Sequence, residues 1–379
     1  MTDQADTVCL SDIAQIIPGT SPSGRDINDM GEGLPFFQGS KEFGTRYPRP
    51  ERFTTAPVKT AAAGDILLSV RAPVGRVNIA DTACAIGRGV MAVRPRDPDD
   101  APYIAAFLQM MGETWDAHAT DGTMFANLSK VGLEQLPVRW PLMRHKIADV
   151  IEALDDRIES AARLEEVLGQ AVLAEYAVAL LDRSAEKLIS LVDAVSLING
   201  GAYTNGADGT GRMVIRIKEL NSGPSESTVY SSITVPNNKT AYPGDVLFAW
   251  SGSLGVWRWY RDEAIVNQHI FKVLPNKHPI WLGWIHILGE LERFQDIAAG
   301  KATTMGHITK DHLERTTVPT FSTEELEELS ARVEPLWGAQ LQAGRELQTL
   351  QAVRAKLLPA LVSGELRVAA AEELVEATT

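Results

Sequence analysis

Between Pro35 and Arg96 the chain carries ten lysines and arginines against four acids, a local balance of +6 in a protein whose formal net charge is −13. Lys41, Arg46 and Arg49 fall with Tyr47 in a stretch punctuated by Gly and Pro; Arg71 and Arg76 flank a turn, and Arg88 opens the strand that follows. Cations so clustered can neutralise phosphates, and arginine can also read base edges. Later in the chain Trp257, Arg258, Trp259, Tyr260 and Arg261 form an aromatic–cationic run, with Ser251, Ser253, Gln268 and His269 supplying short polar groups nearby. Thr123, Asn127 and Lys130, and again Lys301, Thr303, Thr304 and Lys310, are of the types that hold phosphate oxygens. A solvated or stem-packed surface place is the alternative for each arginine, and core burial outweighs base contact for Trp257 and Trp259.

The parts of a catalyst are missing from the sequence. There is no Pro-Pro dipeptide, which excludes the Asn/Asp-Pro-Pro-aromatic loop of amino-methyltransferases, and no acid is followed two positions later by Lys, which excludes the usual nuclease pattern. Gly300-Lys301-Ala302 fails as a phosphate loop, GADGTG (206–211) has its glycines in the wrong order for a dinucleotide loop, and the seven histidines show neither HxxxH nor HExxH. GxSxG is absent, and two cysteines, Cys9 and Cys84, make neither a disulfide framework nor a zinc site. The chain reads as non-catalytic, with no cofactor of its own.

The elements that would position the polar residues occur twice. GDILLSVRAPVG begins at Gly64 and GDVLFAWSGSLG at Gly244, 180 positions on. AIGRGVMAVRP (85–95) pairs with IVNQHIFKVLP (265–275), and TMFANLSKVGLEQLPV (123–138) with TTMGHITKDHLERTTV (303–318), at the same offset, so that Lys130 matches Lys310. Leu10–Gly19 matches Leu191–Gly200, each read as a short amphipathic helix closed by a glycine C-cap. Gly64, Asp65, Gly244 and Asp245 read as turn residues ahead of a strand. The alternation of apolar residues in 85–95 and 265–275 argues for strands. At 379 residues the chain exceeds one ordinary core.

Each copy closes on a long helical pattern. Leu326, Leu329, Val333, Leu336, Gln340, Ala343, Leu347 and Leu350 follow alternating spacings of three and four, a heptad seam with one polar position. Ile147, Ile151, Leu154, Ile158, Ala161, Leu164 and Leu168 repeat that period, while Pro335, Gly338 and Gly344 weaken the second helix. The two seams are expected to bury each other as an antiparallel pair, packing onto the globular parts being the alternative. The expected fold class is α+β: two similar mixed α/β heads separated by two long helices in an antiparallel coiled-coil pair, a pseudo-twofold internal repeat with a dumbbell outline. The expected boundaries are 1–141 for the first head, 142–187 for the first helix, 188–321 for the second head, and 322–379 for the second helix and tail. No apolar run reaches membrane-spanning length, and MTDQADTVCLSDIAQ lacks the regions of a signal peptide, so a cytoplasmic place is expected.

Assembled in this order, the motifs resemble the DNA-specificity subunit of type I restriction–modification systems. GDILLSVRAPVGRVNIA with AIGRGVMAVRP is similar to that family's most recognisable block, GDVLFAWSGSLG with IVNQHIFKVLP to its second-head form, and LQTLQAVRAKLLPALVSGELRV to its C-terminal signature, where a helix breaks at Ser363-Gly364. The resemblance implies that each head is a target-recognition domain for one half of a bipartite, asymmetric double-stranded DNA target. It implies that the helices set the spacing and dock two methyltransferase subunits, and that S-adenosylmethionine and ATP belong to those partners and to a restriction subunit where one exists. The sequence departs from the family at Pro141–Lys146, where Arg144 to Lys146 replace the acidic entry to the first helix; a solvated helix start is expected there, with a partner-facing or DNA-facing patch as the alternative. Ser322 or Thr323 can cap the second helix, with glutamates in its first turn. A two-headed protein-binding scaffold without a DNA role is the competing reading, favoured by the −13 charge and by a second head with twelve basic and eleven acidic residues between Gly201 and Val318.

Overall fold

The computed structural model describes residues 5–44, 46–120, 128–181, 187–300 and 306–377. The chain divides into two compact units, Met1–Ser160 with Thr349–Thr379, and Ala161–Gln348. Each unit is α+β, and the second repeats the plan of the first.

In the first unit the strands β1 (Ala14–Pro18), β2 (Ile66–Ser69), β3 (Val77–Ile79) and β4 (Val90–Pro95) form an antiparallel sheet in the order β1-β4-β2-β3. In the second unit β5 (Val195–Asn199), β6 (Val246–Ala249), β7 (Gly255–Arg258) and β8 (Ile270–Pro275) give the same order, β5-β8-β6-β7. A second sheet in each unit contains one parallel pairing, of Leu34–Phe37 with Cys84–Ile86 and of Arg212–Ile215 with Ala264–Val266. The strand Ala5–Cys9 pairs with Pro137–Pro141, and Lys187–Ser190 with Thr317–Thr320. The central strands β2 and β6 are buried at every residue, which accounts for their continuous apolar runs in place of alternation.

Leu10–Gly19 and Leu191–Gly200 differ from the expected helices. Only Leu10–Ile13 and Leu191–Ala194 are helical; the rest is strand, β1 and β5, drawn out by pairing with β4 and β8. The two glycines serve close approach and not a C-cap. A Cβ on Gly19 would lie 2.2 Å from the Gly87 carbonyl oxygen, and one on Gly200 2.1 Å from that of Asn267.

Helix α1 (Ala101–Thr120) covers the first sheet with buried Tyr103, Ile104, Phe107 and Leu108. Helix α2 (Arg144–Leu181) begins beside a buried acid: Arg144 Nε donates to Asp100 Oδ1 at 2.6 Å, His145 Nε2 lies 2.8 Å from the same oxygen, and the Arg144 guanidinium sits over Trp140. Arg144 therefore ties the helix to the head, a correction to the expected solvated start at that residue, while His145 and Lys146 are exposed as a solvated start requires. In the second unit helices α3 (Ile280–Gly289) and α4 (Leu291–Ala299) pack Trp281, Leu282, Ile285 and Phe294 against β6 and β8.

Helix α5 (Thr323–Ser363) runs unbroken past Pro335, Gly338 and Gly344. Ser322 caps it, accepting from Glu325 N at 3.2 Å while Glu325 Oε2 accepts from Ser322 N at 2.7 Å. It stops at Ser363, where Gly364 takes φ +82°. Within the second unit Glu175 meets Arg332 and Glu165 meets Gln340, so α2 and α5 run antiparallel there. Within the first unit Arg354 of α5 is ion-paired with Asp155 of α2 and reaches Gln109 of α1. The α5 seam is buried at Leu329, Val333, Gln340, Ala343 and Leu350. The α2 seam follows Ile147, Ile151, Leu154, Ile158 and Ala161 and then departs from the expected period: Leu164 is exposed, and Glu165, Gly169, Val172 and Tyr176 turn inward. The departure coincides with a polar network around Glu165. No helix among the described residues is long and apolar enough to cross a membrane.

Candidate nucleic-acid interface

The two copies build one frame from the same hydrogen bonds. Gly64 at φ +86° donates from its N–H to Ala80 O, and Gly244 at φ +97° to Trp259 O. Asp65 Oδ2 accepts from Ala62 N at 2.7 Å, and Asp245 Oδ2 from Tyr242 N at 2.7 Å. Each aspartate is then neutralised from the next strand, Asp65 by a two-pronged Arg94 at 2.8 and 2.6 Å, Asp245 by the buried Lys272 at 2.7 Å. Past the strands, Val70 N donates to Gly89 O and Trp250 N to His269 O, joining the repeated turn to the turn before β4 or β8.

In the first head the 70–76 turn is closed at its neck. Ser69 Oγ donates to Pro73 O at 2.7 Å and accepts from Arg76 N at 2.9 Å, while Gly75 N donates to Ser69 O. Gly75, at φ +85°, rests on α1 with room for no side chain: a Cβ would lie 2.5 Å from Gly112 Cα. Arg71 and Arg76 stand exposed on this turn and Arg88 on the neighbouring one; with Arg49 they have no side-chain partner among the described residues. Lys41 is exposed and paired with Glu51 at 2.6 Å, a contact that raises its pKa through the hydrogen bond. Arg46 is a correction: its guanidinium is spent on Glu152 and, at 2.7 Å, on Asp156 of α2, so it fastens its loop to the helix.

In the second head the same turn is held by the segment 306–308. Ser251 is buried and forms a β-bridge with His307; Gly252 N donates to Gly306 O and Ile308 N to Trp250 O. That pairing removes Ser251 from the exposed face and leaves Ser253 on it. Trp250 was not singled out in the sequence. Its ring lies 5.6 Å from His269 and 5.9 Å from Phe271, and its Nε1 donates to Asn199 Oδ1 at 3.0 Å. Exposed Gln268 has its Nε2 3.2 Å from His269 Nε2, and buried Asn267 Oδ1 and His269 Nδ1 have no hydrogen-bond partner among the described residues.

Arg258 leaves the candidate face altogether. It is 9% exposed, donates to Trp337 O at 2.5 Å and Gln340 Oε1 at 3.1 Å, and lies 3.6 Å above the Trp337 ring; burial lowers its pKa to about 10. Gln340 Nε2 in turn donates to Glu165 Oε1 at 2.9 Å, and Tyr260 Oη donates to the same oxygen at 2.6 Å. Gly169 and Gly344 make room: a Cβ on the first would lie 2.8 Å from Gln340 Nε2, and one on the second 2.6 Å from the Tyr260 ring. The one polar position in the α5 seam was the only sequence signal of this network. Arg261 is half-buried, and burial lowers its pKa. Trp259 is buried, its Nε1 donating to Asp262 O, and Trp257 packs against the same core.

Lys130 and Lys310 occupy equivalent exposed places, each beside a glutamate one turn on, Glu134 at 3.4 Å and Glu314 at 3.0 Å. Exposed pairs of this kind are worth little, so both ammonium groups remain available to a phosphate. Thr123, Asn127, Lys301, Thr303 and Thr304 lie outside the described residues.

Residues 3–169 match the family described as type I restriction modification DNA specificity domain. Over 160 residues the chain is 36% identical to a Methanocaldococcus jannaschii protein named as type I restriction enzyme MjaX specificity subunit; the match covers 41% of this chain and only 37% of that relative. The type I restriction enzyme MjaIX specificity subunit of the same organism is 22% identical over 95% of this chain and 93% of its own length. The fold matches the crystal structure of the type I restriction–modification system S subunit from M. genitalium with a TM-score of 0.60 at 16% identity, over 94% of this chain and 96% of that one.

Proposed function

We propose that the whole protein is the DNA sequence-specificity subunit of a type I restriction–modification complex, a reading supported by the match of residues 3–169 to the type I restriction modification DNA specificity domain. The observation that carries the reading is the duplicated frame: the same glycine–aspartate turn, strand order and turn-to-turn hydrogen bonds occur in both units, with different side chains displayed at their exposed turns. One frame used twice with different displayed groups suits a bipartite, asymmetric target in double-stranded DNA.

In this reading the heads span 1–141 and 188–321, and the helical segments 142–187 and 322–379 set the gap and dock two methyltransferase subunits. The chain itself does no chemistry; methyl transfer from S-adenosylmethionine, and any ATP-driven cleavage by a restriction subunit, belong to its cytoplasmic partners. Arg49, Arg71, Arg76 and Arg88 provide the free cations for phosphates and base edges, joined by Lys41, Lys130 and Lys310.

The test is methylation of a mixed-sequence DNA by the modification subunits with and without this chain. Sequence-specific methylation that needs the chain, together with binding that weakens steeply as salt rises, is the expected result. Identical methylation in its absence, or binding indifferent to salt, would refute the reading and favour a protein-binding scaffold.

A further inference from the structure

If each head reads a different half-site, what the two frames share should serve the phosphates, which are the same everywhere. What they vary at an exposed position should serve the bases. Lys130 and Lys310 are shared, exposed and flanked by the same glutamate contact, and fall in the first class. Arg71 and Ser251 differ, but Arg71 is exposed and Ser251 buried, so that pair is not displayed alike.

Arg88 and Gln268 satisfy both conditions. Both side chains are exposed, and both sit on a turn held by matching main-chain bonds. Val90 N donates to Gly87 O and Ile270 N to Asn267 O; Gly19 N to Val90 O and Gly200 N to Ile270 O; Thr20 N to Ile86 O and Gly201 N to Val266 O. Val70 N reaches Gly89 O as Trp250 N reaches His269 O, so the repeated turn abuts this position in each head. A turn fixed this tightly delivers its side chain from one place while the side chain itself is free to vary.

We propose, on the basis of the DNA-specificity reading above, that positions 88 and 268 are equivalent base-reading positions, Arg88 reading a guanine and Gln268 an adenine. The chemistry follows from the groups displayed. Arg88 has no side-chain partner among the described residues and presents a donor fork that matches guanine O6 and N7. Gln268 can give one amide N–H to His269 Nε2 at 3.2 Å, leaving its second N–H and its Oε1, the pair that adenine N7 and N6 require. His269 itself lies against Trp250, the rings tilted by 56° with centroids 5.6 Å apart, so the amide is aimed by a supported ring.

The test uses the full chain assembled with its modification subunits, with the bases preferred at every position of the target determined by selection from randomised duplexes. Arg88→Gln should change one guanine preference to adenine in one half-site, and Gln268→Arg one adenine to guanine in the other, each by about 5- to 150-fold and each leaving the opposite half-site unaltered. Unchanged base preferences with binding retained would overturn the proposal and leave the specificity-subunit reading standing. Uniform weakening by Arg88→Gln that Arg88→Lys restores would assign Arg88 to a phosphate and overturn it as well. A parent complex with no sequence preference would end the specificity reading and this proposal with it. Because the two substitutions lie in different heads, a folding failure in one leaves the other to decide.

Discussion

Replacing Arg258 by Met tests whether the buried network fastens the second head to its helices. Removing the guanidinium takes away two charge-assisted hydrogen bonds, to Trp337 O and Gln340 Oε1, and the contact over the Trp337 ring. Such bonds are worth about 1.5–3 kcal/mol each and a desolvated cation–π contact about 2 kcal/mol. Against that gross loss stands the several kcal/mol that a buried guanidinium costs in desolvation, the same burial that lowers its pKa to about 10. The net expectation is a loss of about 2–4 kcal/mol, read as a lower urea midpoint by tryptophan fluorescence. Replacing the network as a unit, with Arg258→Met, Glu165→Leu, Tyr260→Phe and Gln340→Leu together, should recover most of that loss, because no buried polar group is then left unpartnered. The salt slope of DNA binding should stay at the parent value in both variants. A single variant as stable as the parent, or a combined variant worse than the single one, would refute the network; a reduced salt slope would return Arg258 to the DNA face.

His278 and His286, both buried in the second unit, lie Nδ1 to Nε2 at 3.1 Å, with Thr320 Oγ1 3.0 Å from His278 Nε2, Lys277 adjacent in the chain, and the Tyr176 ring edge-on to His286. Burial, with Lys277 and His278 as lesser causes, lowers both pKa values from 6.5, His286 to about 3. Groups whose folded pKa is depressed in this way stabilise fully while both states are neutral, above pH 6.5, and stability is lost as pH falls towards the folded values, by at most about 1.4 kcal/mol per pH unit for each ring. Urea midpoints measured from pH 7 to 5 should therefore fall, and a His278→Asn, His286→Phe variant should flatten the slope; an equally steep slope in that variant would refute the assignment. Gly19→Ala and Gly200→Ala should each destabilise by about 1–3 kcal/mol or more, since the added carbon meets a backbone carbonyl that cannot rotate away. Midpoints at the parent value would contradict that geometry. Arg71→Ala and Arg76→Ala should each lower the salt slope of DNA binding by about 1, measured as log affinity against log salt, while leaving folding stability within about 0.5 kcal/mol.

The duplication was readable because the residues that repeat are those the backbone demands. Gly64 and Gly244 hold positive φ, and Asp65 and Asp245 close the same turn, so neither pair can drift without unmaking the strand entry. The long helices announced themselves by period, and the α5 seam is buried nearly as spaced. What failed was whatever depended on a distant partner. Leu10, Ile13, Ile16 and Ile17 have helical spacing, yet pairing with Val90–Pro95 draws Ala14–Pro18 into a strand, a decision made some seventy-five residues away. Arg46 and Arg258 carry the same charge as Arg71 and Arg88, but acids on α2 and a carbonyl on α5 consume them. Leu164 lost its place in the seam because Glu165 turned inward to meet Tyr260 and Gln340.

The candidate face shows the same division at finer scale. Aligned at their common offset, the change from Arg71 to Ser251 and the change from Arg88 to Gln268 are indistinguishable as sequence: each trades a cation for a small or neutral polar group in a turn. Burial separates them. Ser251 is buried in a bridge with His307 while Arg71 is exposed, whereas several main-chain bonds around Gln268 repeat those around Arg88 and both side chains stand out. A substitution inside a retained frame can thus bury a side chain or change what an exposed one displays. Among the differing pairs whose two members are both described, 88 and 268 join different hydrogen-bonding chemistry to a turn that shares four main-chain bonds. That conjunction makes a swap of their side chains a fair trial of whether the two heads read by the same geometry.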